Sequence, residues 1–156
     1  MVTNEFVHAA KRHLTTCKEL LAVANTAISA DKKNHILDNI YYLSGYVLET
    51  MLSYVLCNKM NIQGDVMDTD YFKTTAFKTH NLNTKIMYLK SHDCNINGVV
   101  FISTRVSREQ QKMFSSWGAD YRYQKSGSLR QNVDINEYMK NIQVFYNQIL
   151  QKYPMV

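Results

Sequence analysis

A single proline, Pro154, stands in this 156-residue chain, and it lies two residues from the C-terminal end. Of the five glycines, Gly64, Gly98, Gly118 and Gly127 fall in or near breaks between patterned segments, and only Gly45 interrupts one. A proline in a helix interior costs about 3 kcal/mol and a glycine about 1 kcal/mol relative to alanine. A chain that avoids both over long patterned stretches is therefore predicted to be all-α.

The apolar spacing places the helices. Across residues 4–29, Phe6, Ala10, His13, Cys17, Leu20, Ala24 and Ala27 recur every three or four positions. Leu14, Leu21 and Ile28 widen that stripe into an amphipathic helix, with Asn4 as its N-cap. Asp31 is placed to cap a second helix running to about Asn58, whose main stripe is Ile36, Ile40, Leu43, Val47, Met51 and Val55. An arc that wide suits the central helix of a bundle. A second stripe on it carries Tyr42, Tyr46 and Glu49, with Gly45 beside them. Gly45 implies close approach by another helix or a ligand.

A third, shorter helix fits "HNLNTKIMYLKSH", with His80 or Asn81 at its cap and Leu82, Ile86 and Leu89 on one face. "CNINGVVFISTR" reads as a turn and a packed apolar connection. Ser107 with Gln110 offers a capping box for a helix through Met113, Phe114 and Trp117. Asp134, paired with Glu137, starts a last helix on Ile135, Tyr138, Ile142, Phe145 and Ile149. Met51, Met87, Met113 and Met139 read as core filler. The simplest assembly is an up-and-down antiparallel bundle of four to five helices in one domain, residues 1–156.

Composition narrows the function. No stretch approaches the roughly 20 apolar residues that span a bilayer. The N-terminal "MVTNEFVHAAKRHL" mixes charges among its apolar residues and does not read as a signal peptide. Cys17, Cys57 and Cys94 are odd in number and scattered, which points to free thiols in a reducing, cytoplasmic setting. The acidic "GDVMDTDYF" lacks the central glycine and terminal glutamate of a calcium loop, and His8, His13, His35 and His92 show no metal spacing. Neither a metal nor another cofactor is expected. Residues 105–130 hold six basic residues against two acidic ones, a net +4 of the chain's +5. Such a window favours an anionic partner such as RNA or a nucleotide phosphate.

Three segments in order carry a family resemblance. "NIYYLSGYVLETMLSYVLC" resembles the central helix of HEPN domains, "KTHNLNTKI" their His-Asp/Asn-Leu segment, and "WGADYRY" their aromatic Arg-Tyr segment before the last helix. The likeness covers roughly residues 4–152. It implies a small helical bundle that works as a homodimer in prokaryotic defence, toxin–antitoxin or nucleotidyltransferase systems. Active members are metal-independent RNases carrying an Arg followed four to six residues later by a His. Here no histidine follows His92, so Arg122 lacks that partner. The resemblance thus implies a non-catalytic or degenerate domain that binds RNA or a nucleotide, with a nucleotidyltransferase or a toxin–antitoxin or defence system as its setting.

The expected ligand-binding set is Arg122, Tyr123, Lys125, His80, Glu49, Tyr46 and Tyr42. Arg122 can fork onto a phosphate, Tyr123 can stack on a base, and Lys125 in "QKSGSLR" adds charge. Glu49, in an apolar helix, needs a partner such as Arg122 or His80. Two alternatives stand beside this reading: a divergent RNase in which Arg122 and His80 meet in space, and a structural dimerisation module.

Overall fold

The computed structural model describes residues 3–123 and 134–155, with backbone alone at residues 75 and 76. The chain is an all-α helical bundle. Its helices are α1 (Thr3–Asn25), α2 (Ala30–Lys59), the single turn α3 (Thr75–Lys78), α4 (Leu82–Ser91), α5 (Arg108–Ser116) and α6 (Ile135–Lys152). Three short 3₁₀ turns, Val66–Asp68, Asp70–Lys73 and Ala119–Tyr123, fill the connections. Among the described residues there is no strand, only one isolated bridge between Val100 and Thr104, and no helix is long and apolar enough to cross a membrane.

α1 buries Phe6, Val7, Ala10, Leu14, Cys17 and Ala24 against α2, which is the face the spacing predicts. It stops at Asn25, short of the predicted end. Ile28 therefore drops out of the stripe and stands fully exposed in the connecting turn. Two predicted caps also shift. Asn4 lies inside α1, which is described from Thr3 onward. Ser29, extended at φ −104° and ψ 142°, caps α2 by accepting from the Lys32 amide at 3.2 Å. Asp31 lies inside the first turn, where its charge meets the positive end of the helix dipole.

α2 is the central element, buried without interruption from Met51 to Cys57. Against α6 its contacts step in the same direction: the Tyr41 ring lies 6.2 Å from that of Tyr138, and the Tyr54 hydroxyl donates to the Tyr153 carbonyl at 3.1 Å. Against α4 they do likewise, from Ser53–Lys85 to the Lys59 ammonium donating to the Asp93 carbonyl. The return strokes are irregular. Residues 60–80 climb back along α1 and α2. Residues 93–107 climb along α6, with the Asn95 amide donating to the Tyr153 hydroxyl, the Val100 amide to Gln148 and the Phe101 ring near Tyr138.

The caps of the later helices follow the sequence. Asn81, rather than His80, caps α4 by accepting from the Thr84 amide. Ser107 accepts from Gln110 and Asp134 from Asn136 and Glu137. The Gln110 side chain does not complete a capping box. It is buried and accepts from Asn141 on α6. Met51, Met113 and Met139 are core, whereas Met87 is 72% exposed and fills nothing.

Gly45 meets the side chain of Trp117. A Cβ at position 45 would fall 1.8 Å from Trp117 Cε2 and 2.0 Å from Nε1, so the indole occupies the space a side chain would need. The indole N–H donates to the Tyr42 carbonyl at 3.1 Å, and the ring is 3% exposed. In an open helix, Gly45→Ala would gain about 1 kcal/mol of helix propensity. Here the clash must prevail, because overpacking a close-packed contact costs about 1–3 kcal/mol. With the overlap as close as 1.8 Å the cost lies at the upper end of that range, so urea unfolding of Gly45→Ala should show a net loss of about 2 kcal/mol, with a changed near-ultraviolet signal from the only tryptophan. An equal or higher stability would show that the indole has room to move.

Candidate functional site

Positions 42, 46 and 49 recur at helical spacing, so Tyr42, Tyr46 and Glu49 share one face of α2. The two tyrosine hydroxyls meet at 2.9 Å with their rings perpendicular. Tyr46 is the hub. Its ring stacks on His13 of α1 at 5.6 Å and meets the edges of Trp117 at 5.1 Å and His80 at 6.4 Å. Burial and the Tyr42 hydrogen bond push its hydroxyl pKa up to about 12, so it stays a neutral donor and acceptor at physiological pH.

Glu49 takes His80 as its partner, not Arg122. His80 Nδ1 lies 3.0 Å from Glu49 Oε2, with the carboxylate largely covered and the imidazole half exposed. His80 precedes the Asn81 cap, and this placement turns its ring back onto α2. The Nδ1 contact leaves the other ring nitrogen as the free edge, the arrangement by which a carboxylate orients an imidazole for proton transfer.

Arg122 arrives on the 3₁₀ turn Ala119–Tyr123, which is anchored by Tyr121. That ring packs edge-on against Tyr41 at 4.5 Å, and its hydroxyl donates to Asp38 at 3.4 Å. Arg122 and Tyr123 therefore point outward. The guanidinium sits 4.7 Å above the centre of the Tyr123 ring, which is 77% exposed. Charge interaction with Tyr123, then hydrogen bonding to Tyr42, raises the Arg122 pKa further, and its charge in turn reaches Tyr46. Of the seven residues expected from the sequence, Tyr42, Glu49, His80 and Arg122 thus gather around Tyr46, with Tyr123 against Arg122. Lys125, with the rest of its basic loop and Arg130, lies outside the described residues. Arg105, Arg108 and Lys112 are exposed, as a solvated basic face requires.

Two members went unrecognised in the sequence. His13 reads there as one more residue of an apolar stripe, yet it forms a wall of the cluster. Lys85 is 3% exposed, and its ammonium donates to Ser53 Oγ at 3.2 Å and to the Phe77 carbonyl at 3.3 Å. Burial lowers its pKa, and the Glu49 charge opposes that shift. Beside Glu49 a cavity of about 170 Å³ opens, lined in part by Phe6, Ser53, Met67, Phe72 and Phe77. The thiols of Cys17 and Cys57 are buried and pushed up to about 12 by burial, which makes them poor nucleophiles. Among the described residues, no group of three or more His, Cys, Asp or Glu side chains could hold a metal ion.

No protein-family model, curated protein or solved structure matches the chain.

Burial, and then the neighbouring Arg12 charge, lowers the His13 pKa below its ordinary value. The unfolded chain therefore takes up a proton near pH 6.5 that the folded chain still refuses. Stability should be full above that pH and fall as the pH drops toward the folded-state value. Thermal unfolding followed from about pH 7.5 to about pH 5 should show this decline, and His13→Gln should flatten it. An identical profile in the variant would detach His13 from the titration.

Proposed function

We propose that this protein is a non-catalytic or degenerate HEPN-like domain that binds RNA or a nucleotide at the Tyr46 cluster. One observation carries the reading: the Arg122 guanidinium lies over the outward-facing Tyr123 ring, on the turn whose Tyr121 packs against Tyr41, at the rim of an aromatic cluster. A planar cation with free donors suits a phosphate, and exposed aromatic faces suit bases. The net +4 of residues 105–130 supplies attraction at longer range. The family resemblance adds to this proposal a homodimer and an accessory role beside a nucleotidyltransferase or a toxin–antitoxin partner, and the scattered cysteines add a cytoplasmic setting. Three buried free thiols suit a reducing compartment.

Fluorescence titration with short single-stranded RNAs and mononucleotides tests the reading. Arg122→Ala should weaken binding by about tenfold or more and make the dependence of log K on log salt shallower by about one unit. Unchanged affinity and slope would remove Arg122 from the interface.

One feature favours a second reading, a divergent metal-independent RNase. His80 is held by Glu49 beside Tyr46, and the charge of Arg122 also reaches Tyr46. An imidazole oriented by a carboxylate can move the proton, and a guanidinium near it can neutralise a phosphorane without itself exchanging one. Cleavage of a labelled single-stranded RNA in EDTA should then be lost in both His80→Ala and Arg122→Ala. Equal residual cleavage in wild type and both variants would eliminate this reading.

A further inference from the structure

We propose that the cavity beside Glu49 is a base-reading subsite for a single-ring base bearing an amine, and that it takes cytosine in preference to uracil. This deepens the nucleotide-binding reading and rests on it. Size is the first argument. The cavity holds about 170 Å³, and a dry cavity of about 150 Å³ accepts one benzene ring. One six-membered ring fits, and a purine overfills it.

The lining is the second argument. Phe6, Phe72 and Phe77 supply aromatic walls, with Phe6 and Phe77 centred 6.5 Å apart and tilted at 39°. The polar groups are few and of opposite kind. Glu49 is an acceptor, and its bond to His80 uses only one of its roughly four lone-pair sites. Ser53, one turn further along α2, accepts from the Lys85 ammonium with its oxygen. Its own O–H is thereby left to donate elsewhere. An acceptor beside a donor complements the N4 amine and the adjacent ring N3 of cytosine. Uracil presents a carbonyl oxygen and an N–H at those same atoms, so its O4 would face a carboxylate.

Reach is the third argument. Arg122 follows Tyr121, whose ring packs on Tyr41 of α2, and Glu49 lies about 12 Å further along that helix at 1.5 Å per residue. A phosphate on Arg122 and a base at Glu49 are the two ends of one nucleotide.

Calorimetric titration of the full chain with CMP, UMP, cytidine and inorganic pyrophosphate tests the assignment. Wild type should prefer CMP to UMP by about tenfold, and Glu49→Gln should bring that ratio toward one. Because Glu49 also holds His80, Met67→Trp provides a second variant that does not depend on it. Met67 is a half-exposed rim residue, and the larger ring should close the cavity, removing the CMP preference while pyrophosphate binding and its dependence on Arg122 persist. Equal affinity for CMP and UMP, with both dependent on Arg122, would overturn the cavity assignment and leave the nucleotide reading standing. CMP binding that ignores Arg122→Ala would uphold the cavity and overturn the phosphate contact. A chain that binds none of these overturns both.

Discussion

The contact between the Trp117 indole and the bare backbone at Gly45 is the joint on which the site depends. It is made possible by the absence of one Cβ, since the indole atoms stand within about 2 Å of where that carbon would be. The indole N–H bonds the Tyr42 carbonyl, which fixes the end of α5 against the middle of α2. The chain then runs into the turn Ala119–Tyr123 with Tyr121 packed on Tyr41. With residues 117 and 121 both locked inward, Arg122 and Tyr123 have nowhere to go but out, beside Tyr42. A core contact thus sets the position of an exposed guanidinium.

A second constraint comes from Lys85. A buried ammonium is costly unless its donors are met, and this one donates to Ser53 on α2 and to the Phe77 carbonyl on the return segment. Those bonds hold residues 60–80 down over α2. They also place a positive charge near Glu49, whose own charge opposes the lowering of the Lys85 pKa by burial. The carboxylate can therefore stay in a largely covered position while holding His80. Removing Lys85 would release the lid of the cavity and the counter-charge of the site together, so its structural and electrostatic roles are inseparable.

Much of this was legible in the residues, and the rest failed for definite reasons. The faces of α1, α2 and α6 and the caps Ser107 and Asp134 follow from local rules, because each depends on neighbours within one turn. The α2 cap was misassigned because Ser29 and Asp31 are both good capping residues, and only the backbone angle at Ser29 chooses between them. Gly45 announced a close approach without naming what approached, since Trp117 lies 72 residues away in sequence. The Glu49 partner was narrowed to two and decided by the fold. The cavity left no mark, because Val66, Met67 and Phe72, which close it over α1 and α2, come from 3₁₀ turns that have no periodicity to read.

The direction of the helices explains why the candidate site lies where it does. Contacts of α2 with α4 and with α6 run in the same sense, and a parallel pair cannot be joined by a tight turn. Each junction therefore needs a return stroke, and here both strokes are long and irregular. The first delivers Phe72, Phe77 and His80 to the α2 face. The second runs on through α5 to deliver Trp117, Arg122 and Tyr123 to the same face. Recognition residues carried on irregular segments over a rigid helix can change without disturbing the core. α2 supplies only Tyr42, Tyr46, Glu49 and Ser53, all within three turns of one stripe. The cation and the outer aromatic rings of the candidate site are therefore a property of the two returns, whereas its Glu49 carboxylate, its Ser53 hydroxyl and the precision with which it is held belong to α2.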